Sequence, residues 1–145
     1  MKIEAITVTV IVLIHHIIAY IHGGVHTELT IPMALWQTSF INIVIVLIPL
    51  VGAVLLWTRH RQLGLYGVIV GMVGALLFGI VHHYMLVSPD HISHLPAAAP
   101  HIHAKFEWTA GMIAMLEGIA AALAAYFLGR GARTIDSAES YELTE

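Results

Sequence analysis

Residues 63–87 read LGLYGVIVGMVGALLFGIVHHYMLV, a run of 25 residues without an Asp, Glu, Lys or Arg. A helix rises about 1.5 Å per residue, so this run is long enough to cross a hydrocarbon core of about 30 Å. It stops at Ser88-Pro89-Asp90, where proline cannot continue a helix. The run predicts a transmembrane helix, and it sets the fold class of the whole chain.

Three further apolar runs lie at about residues 6–22, 39–57 and 106–128. Gly23-Gly24 should end the first and Gly129-Arg130-Gly131 the last, while Pro49 should kink the second. We interpret the first run as a retained helix, because no small-x-small cleavage site follows it. The sequence therefore predicts an all-α integral membrane protein, an up-down bundle of four transmembrane helices in residues 1–130. An acidic tail, residues 131–145, should follow.

The distribution of basic residues predicts the topology. Five of the six basic residues fall at one end of the predicted bundle: Lys2, Arg59, Arg61, Arg130 and Arg133. By the positive-inside rule this end, with both termini, should be cytoplasmic. The long links at residues 22–38 and 88–105 should then lie on the extracytoplasmic face of the cytoplasmic (inner) membrane.

The chain of 145 residues has eleven histidines and no cysteine. The lack of cysteine excludes thiolate zinc sites and iron–sulfur clusters. With the predicted topology, only His60 is cytoplasmic, and eight histidines gather at the outer end of the bundle. Neutral imidazole is the commonest metal ligand in proteins. The pattern therefore predicts a transition-metal site on the extracytoplasmic face.

The spacing of these histidines suggests which of them bind the metal. His22-x-x-x-His26 places two imidazoles on one helical face, and His82-His83 should lie at about the depth of His22. The motifs at 91–94 and 101–103 would chelate from a loop. The predicted ligands are His22, His26, His82, His83, His91, His94, His101, His103 and Glu107. Copper is favoured because Met85 and Met112 offer soft thioether ligands at the same level, with zinc or iron as alternatives.

A second group of polar residues should lie near the middle of the membrane. His15 and His16 are about ten residues above the start of the first helix, and Glu117 is about ten residues into the fourth. Ionisable residues at this depth are costly and suggest function. We expect Glu117 to pair with His15 or His16, as a second site or a proton path.

Small residues repeat every four positions in two of the helices. Gly67-x-x-x-Gly71 lies in the third and Ala114-x-x-x-Gly118-x-x-x-Ala122 in the fourth. Such repeats let helix backbones approach closely in lipid. They predict a tight bundle, or packing against a partner.

Three of the histidine motifs resemble the histidine boxes of membrane di-iron oxygenases and desaturases. They are His22-Gly-Gly-Val-His26, His82-His83 and His91-Ile-Ser-His94. The box His-x-x-His-His of that family is absent, and the cluster should face away from the cytoplasm. The resemblance therefore implies an iron-binding pattern without implying the family's activity.

The sequence leaves several functions open. The first is a metal-binding or metal-relaying protein, or a redox subunit. The others are a b-type haem cytochrome subunit, a metal-ion or proton transport component, and an accessory subunit of a larger complex. The predicted partners are the lipid bilayer and either further copies of the chain or other membrane subunits. No basic patch suits nucleic acid, and no motif identifies catalytic residues or a reaction.

Overall fold

The computed structural model describes the backbone of residues 2–142 and the side chains of residues 2–131. It is all-helical, with α1 Lys2–Glu28, α2 Leu35–Leu55, α3 Arg61–Met85 and α4 Pro100–Glu142. Each helix contains a segment long and apolar enough to cross a membrane, and in α4 this segment is Pro100–Gly131. The prediction of four helices long and apolar enough to span a membrane is confirmed. The side chains of residues 132–145 in the predicted acidic tail, with Arg133, lie outside the described residues.

Side-chain contacts between the helices show that neighbours in the chain run in opposite directions. His22, near the end of α1, contacts His83 near the end of α3 and Thr109 near the start of α4. At the other end, Arg61 at the start of α3 pairs with Glu4 at the start of α1. We call these the histidine end and the arginine end. Their assignment to the two sides of the membrane stays a prediction.

The expected end of α1 at Gly23-Gly24 is wrong, because the helix continues to Glu28. Glycine costs only about 1 kcal/mol in a helix interior, and burial of neighbouring side chains offsets this cost. Val25 is fully buried in this extra turn, and His26 packs on Phe106. The chain then turns at Thr30, whose φ of 52° is left-handed. The added turn places His26 one turn after His22 on the same face of α1.

α4 is also longer than predicted, at both ends. It begins at Pro100 rather than near Phe106, since proline suits the first turn of a helix, where its missing N–H needs no partner. It continues past Gly129 and Gly131 to Glu142. These glycines lower helix propensity without preventing a helix. The early start moves His101 and His103 from the predicted loop into the first turn of α4.

Two segments depart from α-helical geometry. In α2, residues Ile41–Leu47 form π-helical turns just before Pro49, whose ring and missing N–H disrupt the usual hydrogen bonds. In α3, the last turn, Val81–Met85, is also π-helical, and Leu86 N–H donates to Val81 O at 2.8 Å. This wider turn carries His82 and His83 and sets the direction of their side chains.

Glycines bring α2 and α3 into close backbone contact. A Cβ added at Gly64 would lie 2.7 Å from Gly52 O and 2.9 Å from Leu56 N. One added at Gly71 would lie 2.4 Å from Pro49 Cγ. The small-residue face predicted on α3 therefore packs on α2. Gly118 on α4 has no described atom within 4 Å of such a Cβ, so the repeat on α4 is not used this way within the described chain.

Candidate metal centre

Three imidazoles meet at the histidine end, within the described part of the chain. His22 and His26 come from successive turns of α1, and His83 comes from the π-helical end of α3. His22 Nε2 lies 3.1 Å from His26 Nε2 and 3.3 Å from His83 Nε2. One ligand atom from each residue lies within 4.8 Å of the other two. All three residues are buried, so the cluster is shielded from solvent. We call them the histidine triad.

Hydrogen bonds hold His22 and His83 with their Nε2 atoms facing each other. Thr109 Oγ1 lies 2.8 Å from His22 Nδ1, and this hydroxyl donates its own proton to the carbonyl of Lys105. The hydroxyl oxygen therefore accepts a hydrogen bond from His22 Nδ1–H. His83 Nδ1 donates in the same way to the backbone carbonyl of Asp90 at 3.1 Å. Both rings are thus protonated at Nδ1, and both Nε2 lone pairs point to the same place, as second-shell partners arrange metal ligands.

Asp90 adds a negative charge beside the triad. Its Oδ1 lies 3.3 Å from His26 Nε2 and 3.1 Å from His83 Nδ1, and the side chain is buried. His26 Nδ1 has no hydrogen-bond partner among the described residues. A buried carboxylate costs free energy unless a positive charge or hydrogen-bond donors compensate it. The combination of an anion and two convergent lone pairs suits a bound cation.

The distances within the triad fit a tetrahedral metal ion. Metal–imidazole bonds are about 2.0–2.1 Å, which places the nitrogens of a tetrahedral site about 3.3 Å apart. The two measured separations, 3.1 and 3.3 Å, match this value. Without a cation, the facing lone pairs of His22 and His83 would repel each other at this distance unless a proton moved from Nδ1 to Nε2 of one ring. The residues present therefore fit a metal ion.

Phe106 covers one side of the triad, and a cavity lies against it. The ring centroid of Phe106 is 4.7–5.3 Å from those of the three imidazoles, and the residue is fully buried. A cavity of about 550 Å³ is lined by all three histidines and by Asp90, but not by Phe106. With three protein ligands, a tetrahedral ion keeps one open position. Phe106 leaves the cavity as the space for that position.

The structure separates His82 from the other predicted ligands. Its Nδ1 lies 2.9 Å from the carbonyl of Phe78, and its ring stacks on the Phe78 ring, with centroids 4.1 Å apart. Trp36 of α2 packs against it at 5.7 Å. Neighbouring residues on a helix point about 100° apart, so His82 points away from His22 when His83 points toward it.

The histidines that follow α3 do not join the triad. His91 and His94 contact each other through their Nδ1 atoms at 3.3 Å, and this contact is exposed. His91 Nε2 lies 3.2 Å from the Tyr84 carbonyl. His103 Nε2 lies 2.8 Å from the Pro96 carbonyl, while His101 is exposed. Because His101 and His103 are two residues apart on one helix, they point to different sides.

The remaining predicted ligands also lie apart from the triad. Glu107 is exposed, and no contact joins it to the three histidines among the described residues. The side chain of Met85 is 68% exposed, so it is not part of the buried cluster. The reason given for copper from Met85 therefore does not hold for this cluster. Asp90 is the carboxylate that lies beside the triad.

Glu117 pairs with His15 rather than His16. His15 Nε2 lies 3.1 Å from Glu117 Oε1, and the two side chains are 0% and 3% exposed. His16 instead contacts two backbone carbonyls, that of Val12 at 2.7 Å and that of Val46 at 3.1 Å. Val46 belongs to the π-helical part of α2, so His16 joins α1 to the segment before Pro49. Glu117 also lines the cavity described above.

Three residues of the centre were not among the predicted ligands or supports. Asp90, Thr109 and Phe106 contact the triad from the loop after α3 and from α4. Asp90 follows His83 by seven residues, and in the sequence it marks only the end of the third apolar run. No pattern in the sequence distinguishes Thr109 or Phe106, because their positions depend on how α4 packs against α1. Comparison of the chain with family models, curated proteins and solved structures gave no match.

Proposed function

We propose that this is a membrane protein that binds one first-row divalent transition-metal ion through His22, His26 and His83. The observation that carries the proposal is the convergence of the three imidazoles. His22 Nε2 lies at tetrahedral spacing from the Nε2 atoms of His26 and His83, and His22 and His83 are held in the tautomer that ligation needs. Asp90 would stabilise the charge of the bound ion. The ion would supply an open coordination position facing the cavity.

The spacing of the triad favours a bare ion over a haem. Two axial histidines place their nitrogens on opposite faces of the haem, about 4 Å apart along a line through the iron. His22 Nε2 and His83 Nε2 are 3.3 Å apart, and His26 Nε2 lies 3.1 Å from the former. A porphyrin ring would have to pass between imidazoles that already contact each other. The haem alternative therefore has less support than a bare ion.

The donor set guides the choice of metal. Imidazole ligands suit Zn, Cu, Fe and Ni, and the preference of Zn²⁺ for four tetrahedral ligands matches the observed spacing. A redox role would require Cu or Fe in the same ligands. We choose Zn²⁺ and Cu²⁺ as the first ions to test.

The deciding experiment is metal analysis of the purified protein in lipid nanodiscs. The wild type, after incubation with Zn²⁺ or Cu²⁺ and gel filtration, should retain one equivalent of metal. The variants His22→Ala, His26→Ala and His83→Ala should each retain less than a tenth of an equivalent. Each removes one of three ligands, and the remaining two imidazoles bind weakly. A visible spectrum of the same samples should show no Soret band.

The matched controls are His94→Ala and His101→Ala, which remove exposed histidines outside the triad. Both should retain one equivalent of metal. The proposal is wrong if the wild type binds no metal, or if the control variants lose metal as completely as the triad variants. A Soret band in the wild type would favour the cytochrome alternative instead. Gel filtration and helical circular dichroism of every variant test whether the fold is intact.

The side of the membrane is part of the proposal. The basic residues at the arginine end, with the positive-inside rule, support an extracytoplasmic histidine end. A cysteine introduced at exposed His94 should react with a membrane-impermeant thiol reagent in intact cells, and one at exposed His60 should not. The opposite labelling pattern would reverse the orientation.

A further inference from the structure

The cavity beside the triad extends from the histidine end to the level of Glu117. Thr109, which bonds His22, and Glu117 are eight residues apart on α4, a rise of about 12 Å. The cavity volume of about 550 Å³ falls within the range of small-molecule binding sites in proteins. A space of this length and size is larger than an ion and its water ligands need.

The lining of the cavity changes along its length. The polar side chains at the histidine end belong to the triad, Asp90, Tyr84 and three threonines. Between this end and Glu117 the cavity is lined by small or apolar side chains from all four helices: Ala19, Ile41, Ile45, Ala75, Phe78, Ala110, Ile113 and Ala114. This lining suits a ligand with a polar donor at the histidine end and an apolar body that extends toward Glu117.

The same lining does not suit the passage of a metal ion. A cation leaving the triad toward Glu117 would pass small or apolar side chains that offer no metal ligand. An ion is costly to place in an apolar environment without such ligands. Glu117 itself is already bonded to His15. The cavity is therefore better suited to an uncharged molecule than to a transported ion.

We infer that the cavity binds an uncharged amphiphile about 10–12 Å long, whose nitrogen or oxygen donor occupies the open position of the metal. Its apolar body lies among α2, α3 and α4, and its far end reaches Glu117. This inference rests on the proposed function, because the metal anchors one end of the ligand. Phe106 closes the other side of the triad and leaves the cavity as the site of the fourth ligand.

The test uses Co²⁺-loaded protein in nanodiscs, whose visible bands report a change of ligand at the metal. The probes are 1-hexylimidazole, which is long enough to fill the cavity, and 1-methylimidazole, which occupies only the metal end. Ala114→Leu should narrow the cavity three residues before Glu117. We expect it to weaken 1-hexylimidazole binding at least tenfold and to change 1-methylimidazole binding less than twofold. Partition of each probe into lipid is the same for every variant and cancels.

Two further variants complete the design. Ala122→Leu makes the same change at an exposed position of α4 outside the cavity, and both probes should bind it as they bind wild type. Ile45→Phe narrows the cavity from α2, which carries no triad residue, so it should repeat the effect of Ala114→Leu if that variant misfolds.

The outcomes separate this inference from the proposed function. A wild-type protein that takes up no Co²⁺ overturns both. A loaded protein in which Ala114→Leu and Ile45→Phe bind 1-hexylimidazole as well as wild type overturns the inference alone. Equal loss of both probes also overturns it, because the damage would then be at the metal rather than in the cavity.

Discussion

Replacing Thr109 by valine should weaken metal binding without removing a ligand. Valine has nearly the shape of threonine but cannot accept the hydrogen bond that His22 Nδ1–H donates to the Thr109 hydroxyl, at 2.8 Å, in the wild type. In the metal-bound protein His22 must keep this proton, because its Nε2 binds the ion. The variant therefore leaves a buried donor without a partner only when metal is bound.

The size of the effect follows from this difference between the two states. Without metal, the proton of His22 can move to Nε2 and be donated to His83 Nε2, 3.3 Å away. With metal, the unpaired Nδ1–H costs about 1–3 kcal/mol. Loss of second-shell partners typically weakens metal binding 10–100-fold, which corresponds to about 1.4–2.8 kcal/mol. The two values agree, and we expect a loss within this range.

The assay is competition for Zn²⁺ between the protein in nanodiscs and a chromophoric chelator at pH 7.5. Thr109→Ser keeps the hydroxyl and should bind Zn²⁺ within about threefold of wild type, since it retains the acceptor. Thr7→Val is a matched control, because the Thr7 hydroxyl also bonds a carbonyl four residues earlier but lies at the arginine end. It should bind Zn²⁺ as wild type does.

Two results would refute this reasoning. If Thr109→Val bound Zn²⁺ within twofold of wild type, the hydroxyl would not orient His22 for ligation. If Thr109→Ser lost as much affinity as Thr109→Val, the effect would come from packing rather than from the hydrogen bond.

Four other predictions concern the fold and the metal. Gly64→Ala should lower the free energy of unfolding by about 1–3 kcal/mol, because its Cβ would meet backbone atoms of α2, whereas Gly118→Ala should not destabilise the protein. Thermal melts in detergent compare the two variants, and equal melting temperatures would contradict the close packing of α2 and α3. Glu117→Leu should lower the free energy of unfolding by about 1–3 kcal/mol, because it leaves buried His15 Nε2 without its partner, and Glu117→Gln should lower it less. Chemical denaturation measures both variants, and equal losses would contradict a role for the hydrogen bond. Removing Zn²⁺ with a chelator should lower the melting temperature, by an amount equivalent to about 2.7 kcal/mol relative to protein at a free metal concentration 100 times Kd. Zn²⁺ affinity should fall as the pH is lowered from 8 to 5, because protons compete for the imidazoles, and an unchanged affinity would argue against histidine ligation.

The end of α1 shows what the local sequence could not predict. Gly23-Gly24 suggested the end of α1, but the helix continues because Val25 and His26 are buried in its next turn. Local propensity is worth about 1 kcal/mol per glycine, while burial of one large apolar side chain is worth about 1.5–3 kcal/mol. Helix ends are therefore decided by contacts that the local sequence does not contain.

The choice among the histidines shows the same limit. Eight were placed at one end by the predicted depth of the helices, and three of them form the triad. His82 and His83 are adjacent in the chain and equal in depth, yet only His83 contacts His22. The π-helical turn at Val81–Met85 and the position of α1 determine which of the two buried rings faces His22.

The sequence by itself determined that the chain is built from four apolar helices, and that eight of its eleven histidines share one end. Those properties follow from helix length and rise, which depend on the order of residues alone. Only the tertiary structure decided which imidazoles meet, which carboxylate lies beside them, and that a cavity joins them to Glu117. These features depend on the rotation and spacing of each helix against its neighbours, which result from side-chain packing between segments up to 102 residues apart.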